Sequence, residues 1–185
     1  VDDDIIDGTQ NSTITVSIID GISDDAFDSV ADQTVSVTTA DDDVAGFTVT
    51  ETEGSTGVSE SGSTDLFAIV LNTQPSSDVV LSITSSDTGE ATVDSLIQFT
   101  TANWDTPQNV TVTGVDDGII DGTQTSTITI TVVDAITDDD FDSVADQTVS
   151  VTTTDDDVAG FTIAETNGST GVDESGNTDT FTVVL

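Results

Sequence analysis

The sequence predicts an all-β protein built from tandem antiparallel β-sandwich domains of about seven strands each. Thr, Val and Ile, whose β-branched side chains favour strands over helices, make up 75 of the 185 residues. Residues 1–71 align without a gap on residues 115–185, with 53 of 71 positions identical, which sets a period of 114 residues. Short segments of alternating polar and apolar residues recur within that period. A period of this length fits a sandwich domain of about 100 residues.

Strand segments within one period are separated by turns rich in Gly, Asp and Ser. The clearest segment is 126–133, where Ile128, Ile130 and Val132 point to one face and threonines point to the other. This two-residue period is typical of a strand with one buried and one solvent-facing side. The predicted strands of the complete period are 47–52, 66–72, 79–84, 96–100, 109–115, 126–133 and 148–153.

The repeat boundaries divide the chain into three parts. Residues 44–157 form one complete sandwich repeat, residues 1–43 supply the last strands of a preceding repeat, and residues 158–185 supply the first strands of a following one. Neither end alone makes a sandwich. We therefore expect either a segment of a longer array or ends that complete each other between neighbouring molecules. The two ends together still lack an equivalent of 72–114, which disfavours pure end-to-end completion.

The charge of the chain is entirely negative. It contains 31 Asp and 6 Glu but no Lys, Arg, His or Cys, and its net charge is −37 at pH 7. Without cationic side chains it cannot neutralise nucleic acid phosphates, and its field repels an anionic membrane. It also lacks the residues for Ser-His-Asp or Cys-His catalysis, for thiolate or imidazole metal sites and for disulfides. Its longest apolar run, Leu66 to Leu71, is far shorter than the about 20 residues that span a bilayer.

Acidic residues are concentrated at four places in each period, and all four flank predicted strands. They are the segments 58–62, 85–90, 115–121 and 152–158. Because strand ends that are distant in sequence converge at one pole of a sandwich, these carboxylates can gather there. Two carboxylates about 4 Å apart repel by about 1 kcal/mol even in water, and no side-chain cation offsets this. A divalent ion does, and calcium prefers six to eight oxygen ligands.

Several of these segments resemble the tandem Calx-β domains of bacterial surface proteins and sodium-calcium exchangers. The resemblance lies in VSESGSTDLFAIVL (58–71), SSDTGEATV (85–93), FTTANWDTPQNVTVTGVDDGIIDG (99–122) and VTTTDDD (151–157). It implies an Ig-like sandwich that binds calcium at one pole. The ligands it implies in the complete repeat are Glu60, Asp87, Asp116, Asp117, Asp121, Asp155, Asp156 and Asp157. Those in the partial repeats are Asp2, Asp3, Asp7, Asp41, Asp42, Asp43 and Glu174.

Three functions remain open at this point. The first is an extracellular, cell-surface stalk or filament of a bacterial adhesin, whose tandem repeats are stiffened by calcium and contact neighbouring copies of the same repeat. The second is a module that binds carbohydrate or a host protein, although only 8 aromatic residues and no Arg are available for it. The third is catalysis by a carboxylate pair, which a near-identical duplication disfavours. A further acidic loop, 134–146, either holds another ion or keeps a long loop solvated.

Overall fold

The computed structural model describes residues 3–185, and these residues form thirteen β-strands and five single-turn 3-10 helices. In chain order the strands are β1 Gln10–Val16, β2 Gln33–Thr39, β3 Phe47–Glu51, β4 Thr56–Ser59, β5 Thr64–Leu71, β6 Val79–Ser85, β7 Ala91–Val93, β8 Leu96–Phe99, β9 Gln108–Gly114, β10 Gln124–Val132, β11 Gln147–Thr154, β12 Thr162–Glu165 and β13 Phe181–Val184. The helices are Asp25–Phe27, Thr52–Gly54, Asp134–Ile136, Asp139–Phe141 and Thr166–Gly168. No helix within residues 3–185 is long and apolar enough to cross a membrane.

Strands β3 to β11 form a two-layer sandwich. One sheet has the strand order β4-β11-β10-β6-β8 and the other has the order β3-β5-β9-β7. The all-β sandwich prediction is confirmed. All neighbouring strands are antiparallel except β4 and β11, which run parallel. Two of these nine strands, β4 and β7, lie outside the predicted segments, because with four and three residues they are too short for alternation to stand out.

The core lies between the two sheets and follows the predicted alternation. Ile128 and Ile130 of β10 are fully buried, and the threonines between them face outward. Phe67, Phe99 and Phe141 are also fully buried in the same cluster. Burying a side chain of this size contributes about 1.5–3 kcal/mol. The core therefore holds together nine strands that otherwise share a strongly repulsive charge.

Two hairpins flank the sandwich. β1 pairs with β2 in the register that sets Gln10 opposite Thr39. β10 and β11 pair in the same register 114 residues later, with Gln124 opposite Thr153. β12 pairs with β13 in the register that sets Thr162 opposite Val184, which is equivalent to the pairing of Thr48 with Val70 between β3 and β5. The side chains of both hairpins are nevertheless largely exposed. Local sequence therefore suffices for the pairing, whereas burial requires the second sheet.

The first hairpin is joined to the sandwich by backbone contacts. The Gln74 N–H donates to the Asp4 carbonyl at 2.7 Å, and Ile5 forms a parallel bridge with Gln74. The connecting segment is also anchored, since the Asn72 N–H donates to the Gly46 carbonyl at 2.9 Å. The turn between β5 and β6 thus contacts both the preceding acidic loop and the link between repeats.

Candidate metal centre

Three strand ends meet at one pole of the sandwich. β4 and β11 run parallel, so their carboxyl-terminal ends lie side by side. The pairing continues past the strands, where the Glu60 N–H donates to the Thr154 carbonyl at 3.1 Å. β9 also ends there, at Gly114, where a side-chain Cβ would collide with the backbone of Ser59. The acidic turns that follow these three strands are therefore held close together.

Glu60, Asp117 and Asp157 converge at this pole. One carboxylate oxygen of each lies within 4.8 Å of the other two. Within residues 3–185 this is the single group of three acidic side chains that meets this distance. Two ligands about 2.4 Å from a calcium ion on opposite sides lie about 4.8 Å apart, so the three oxygens can share one ion. Each of the three strand ends supplies one of these carboxylates.

Glu60 is the most buried member of the group, with 1% of its surface exposed. Burial raises the pKa of its carboxyl, and the negative charges of Asp155 and Asp117 raise it further. A hydrogen bond from the Asp156 N–H, at 3.4 Å, opposes this change. Burying a carboxylate is costly unless a cation or strong donors compensate it. The described chain has no cationic side chain, so the compensating charge must come from an ion or a proton.

Two carboxylate oxygens at this pole are buried without a hydrogen-bond partner. They are Oδ2 of Asp157 and Oε2 of Glu90. Burial raises the pKa of Asp157, as do the charges of Asp155 and Asp156. Unsatisfied buried oxygens are uncommon and call for a missing partner. A bound cation supplies such a partner directly.

Glu90 was not among the predicted site residues. Burial raises its pKa, and the charges of Asp121, Asp87 and Asp117 raise it further, so it lies within the same electrostatic cluster. Its carbonyl accepts a hydrogen bond from the N–H of Val115 at 2.9 Å, which fixes it beside the β9 turn. The sequence offered one indication that Glu90 belongs to the site, which is its position at the end of the acidic segment 85–90. It lies directly before β7, a strand that the alternation of residues did not predict.

Asp155 organises the turns that carry the other carboxylates. Its Oδ2 accepts the Gly122 N–H and its Oδ1 accepts the Asp157 N–H, both at 2.7 Å. These two backbone hydrogen bonds lower the pKa of Asp155. Asp155 therefore remains ionised and links the turn after β9 to the segment after β11. Asp155 thereby fixes the position of Asp157 relative to the turn after β9.

The other predicted residues of the complete repeat surround the three converging carboxylates. Oδ1 of Asp87 accepts the Gly89 N–H at 2.9 Å and caps its own turn, just as Oδ1 of Asp117, one of the three, accepts the Ile119 N–H at 2.6 Å. Asp116, Asp121 and Asp156 are exposed. The convergence within 4.8 Å thus includes three of the eight predicted residues, and the rest form its charged surroundings.

The first partial repeat reproduces the same turn without a Glu60 equivalent. Asp41 accepts the Gly8 N–H at 2.6 Å and the Asp43 N–H at 2.9 Å, as Asp155 does 114 residues later. These bonds lower the pKa of Asp41, whereas burial and the Asp41 charge raise the pKa of Asp43. The turn borders a cleft of about 170 Å³, lined by Asp3, Asp7, Gly8, Gln10, Thr39, Ala40, Asp41, Asp42 and Asp43.

The two remaining predicted residues are Asp2 and Glu174. Asp2 lies outside the described residues. Glu174 is exposed in the turn that precedes β13, where the neighbouring Asp173 accepts hydrogen bonds from Ser175 and Asn177. Among the described residues Glu174 therefore belongs to no group of three converging carboxylates.

The acidic loop 134–146 is anchored by a buried aspartate. Asp138 is 3% exposed, and its Oδ2 accepts the N–H groups of Ser76 at 2.6 Å and Ser77 at 2.7 Å and the Ser76 hydroxyl at 2.7 Å. Burial raises the pKa of Asp138, but hydrogen bonds from Ser76, Asp140 and Ser77 outweigh it and leave the pKa lowered. Hydrogen-bond donors of the protein, and not an ion, thus compensate the charge of Asp138 and hold the loop in place. This favours a structural role for Asp138.

No family model matches the sequence, and no curated protein matches it. Several solved structures are similar to this chain. The apo-form Calx CBD1 domain has 14% identity and a TM-score of 0.43, with 60% of this chain and 98% of that domain covered. Domains 4 and 5 of the S-layer protein SbsC have 19% identity and a TM-score of 0.42, with 78% of this chain and 58% of that one covered.

The E. coli chaperone DraB is another such structure, with 7% identity and a TM-score of 0.44. The match covers 64% of this chain and 59% of the chaperone. All three scores lie below 0.5. The sandwich assignment therefore rests on the two sheets described above, and the candidate metal centre rests on the geometry of its own carboxylates.

Proposed function

We propose that this chain is a calcium-binding structural repeat of an extracellular stalk or filament at a bacterial cell surface. One observation carries the proposal: Glu60, Asp117 and Asp157 converge from three strand ends in a molecule that has no cationic side chain. Carboxylate oxygens at this spacing suit a hard divalent cation. Calcium is favoured over magnesium because the surrounding carboxylates and turn carbonyls offer many oxygens without strict octahedral geometry.

The ion would hold together segments that otherwise repel each other. Asp117 follows β9, Asp157 follows β11 and Glu60 follows β4, so one ion on all three ties both sheets together at the pole. The two orphaned oxygens, on Asp157 and Glu90, would gain a partner at the same time. Ion binding is therefore coupled to the stability of the sandwich.

A stiffening role is supported by the contact between the first acidic loop and the following sandwich. Asp3, the equivalent of Asp117, lies next to Asp4, whose carbonyl accepts the Gln74 N–H at 2.7 Å. A loop that is ordered by an ion would therefore also order this contact between successive repeats. The link after the complete site is equally short, from Asp157 to the start of the next strand at Thr162. A row of such units would behave as a rod.

The proposed extracellular location agrees with the affinity expected for such a site. Carboxylate sites in extracellular modules bind calcium with dissociation constants of about 10⁻⁴–10⁻³ M, which suits external fluids and not cytosol. The chain also has no Lys or Arg for trypsin-like cleavage and no Cys or Met to oxidise. Both properties favour an exposed fibre whose partners are calcium ions and neighbouring copies of the same repeat.

Calorimetric titration with calcium tests the binding step. We expect millimolar or tighter binding in the parent chain and at least tenfold weaker binding in Asp117→Asn, whereas Asp146→Asn, an exposed aspartate outside the cluster, should leave it unchanged. Equal binding in Asp117→Asn and in the parent would refute the site.

Small-angle X-ray scattering in calcium and in EDTA tests the stiffening step. We expect a larger maximum dimension and a narrower distribution of dimensions with calcium, and the difference should disappear in Asp117→Asn. A scattering profile that does not depend on calcium would refute the stalk function even if the ion binds.

A further inference from the structure

A cleft on one side of the complete sandwich lies between two strand edges that have no partner. It has a volume of about 530 Å³ and separates β8 of one sheet from the first part of β9 of the other. Within residues 3–185, β8 pairs with β6 alone, and β7 covers β9 only from Val112 to Gly114. The edge of β8 and the edge of β9 from Gln108 to Thr111 are therefore open on this side. None of the predicted metal ligands within residues 3–185 lines this cleft.

The pairing register turns backbone groups of β8 toward the cleft. The Ile83 N–H donates to the Ser95 carbonyl at 2.9 Å, and in an antiparallel ladder residues that bond to the neighbouring strand alternate with residues that do not. Leu96 and Gln98 therefore direct their N–H and C=O groups away from β6. The Gln98 carbonyl accepts the side-chain N–H of Gln108 at 2.8 Å, which agrees with this direction. Both N–H groups and the Leu96 carbonyl are thus available to an added strand.

The opposite wall carries a carboxylate where a strand partner is missing. The Gly114 N–H donates to the Ser63 carbonyl at 3.0 Å, so the same alternation turns the backbone of Thr111 and Asn109 away from β5. The Asp94 carboxylate accepts the Thr111 N–H at 3.4 Å, a long contact for a hydrogen bond. Asp94 is itself exposed, so its negative charge remains accessible at the wall of the cleft.

Charge and exposure indicate the kind of strand that fits the cleft. A second copy of this chain carries a net charge of −37 and no cationic side chain, so it would be repelled and could not neutralise Asp94. Leu96 is 60% exposed, and an apolar side chain opposite it on an added strand would cover it. The complementary occupant is therefore an extended segment of a different protein that carries both basic and apolar residues.

We propose that the cleft between β8 and β9 binds an extended basic segment of a partner protein, which adds as a strand to the free edge of β8. The backbone of the segment would bond to Leu96 and Gln98. One of its apolar side chains would lie beside Leu96, and a Lys or Arg would lie within reach of Asp94. This function is separate from metal binding, because the cleft lies beside the end of β9 opposite to Gly114 and the candidate metal centre.

Two peptides of equal charge test the strand addition. The probe is an acetylated and amidated hexapeptide in which Val and Lys alternate. Its control has the same residues with every one of their amides N-methylated, which keeps the charge but removes the backbone donors. Titrations are followed by amide hydrogen exchange of the protein in about 0.15 M NaCl, where a Debye length of about 8 Å limits unspecific attraction to the acidic chain.

The probe is expected to slow the exchange of the Leu96 and Gln98 amides, and the N-methylated control is expected to bind about tenfold more weakly or less. Equal binding of the two peptides, or binding that leaves both amides unprotected, would overturn the proposal. So would the absence of binding. Protection of the two amides that rises with protein concentration in the absence of peptide would assign the cleft to a second copy and would also overturn it.

Variants of the protein test the two walls of the cleft. Leu96→Pro removes an N–H that points away from β6, so it should weaken probe binding about tenfold without breaking a bond of the sheet. Asp94→Asn should weaken probe binding about threefold, whereas Asp105→Asn, an exposed aspartate outside the cleft, should leave it unchanged. Asp94→Asn leaves the backbone intact, so it decides the test even if Leu96→Pro does not fold. Equal affinities of Asp94→Asn and Asp105→Asn would overturn the proposal.

Discussion

Removal of the Glu60 charge is the sharpest perturbation of the candidate metal centre. Glu60→Gln preserves the volume of the side chain and an oxygen that can accept the Asp156 N–H, but it removes the carboxylate that is 1% exposed and converges with Asp117 and Asp157. Because burial raises the pKa of this carboxyl, the neutral amide should not destabilise the metal-free protein. The variant therefore separates the metal role from the packing role.

The expected magnitude follows from binding linkage. An ion that binds only the folded state with a dissociation constant of about 0.1–1 mM adds roughly 1.4–2.7 kcal/mol at about 10 mM calcium. For a sandwich of about 110 residues this raises the melting temperature by about 6–11 °C, at roughly 4 °C per kcal/mol. A tenfold loss of affinity in Glu60→Gln removes up to about 1.4 kcal/mol of this gain, which is half or more of the shift.

Differential scanning calorimetry with and without calcium measures these shifts. The high negative charge means that any salt stabilises the fold by screening, so NaCl at equal ionic strength is the necessary reference. Glu53→Gln is the matched control, since it removes one exposed carboxylate from a turn outside the cluster. The reasoning is wrong if Glu60→Gln keeps the full calcium-specific shift, or if NaCl reproduces that shift in the parent chain.

Three further outcomes are expected. Asp138→Ala should lower the free energy of unfolding by about 2–4 kcal/mol in urea titrations, because the buried Asp138 carboxylate accepts hydrogen bonds from the N–H groups of Ser76 and Ser77 and from the Ser76 hydroxyl, and an equal loss in exposed Asp139→Ala would contradict this. In EDTA the melting temperature should fall as the pH rises above about 4.5, since the raised pKa of Glu60 means that the folded chain binds more protons there than the unfolded chain. A melting temperature that does not change above this pH would contradict the expectation. Gly114→Ala should cost about 1–3 kcal/mol and weaken calcium binding, whereas Gly118→Ala, which has open space, should do neither.

The strands and the local turns could be predicted because they depend on neighbouring residues. The alternation in 126–133 reappears as buried Ile128 and Ile130 with outward threonines between them. The strands β4 and β7 could not be predicted, because each is held by pairing with a distant strand and not by a pattern of its own. Pairing between distant strands leaves no periodic signal in so short a segment.

The sequence predicted which acidic residues are candidates for the metal centre, but it did not predict which of them lie close together. Glu60, Asp117 and Asp157 were all among the predicted ligands, yet nothing in the sequence distinguishes them from the neighbouring Asp116 or Asp156, which do not join the group. Their convergence depends on the parallel pairing of β4 with β11 and on the close approach that Gly114 allows. Glu90 was missed for the same reason, since its burial depends on the packing of a strand end against the β9 turn.

The duplication separates local from tertiary causes within one molecule. Asp41 and Asp155 accept equivalent backbone N–H groups in the two copies, from within their own turns and from the other end of the same hairpin, so this arrangement is a property of the hairpin and its flanking residues. Ile14 and Ile128 have equivalent positions in equivalent hairpins, yet Ile14 is 55% exposed and Ile128 is fully buried. Hydrogen bonds within one hairpin and the segments that flank it form wherever that stretch of sequence recurs. Burial, and the convergence of carboxylates that follows from it, requires a second sheet to exclude water from the first.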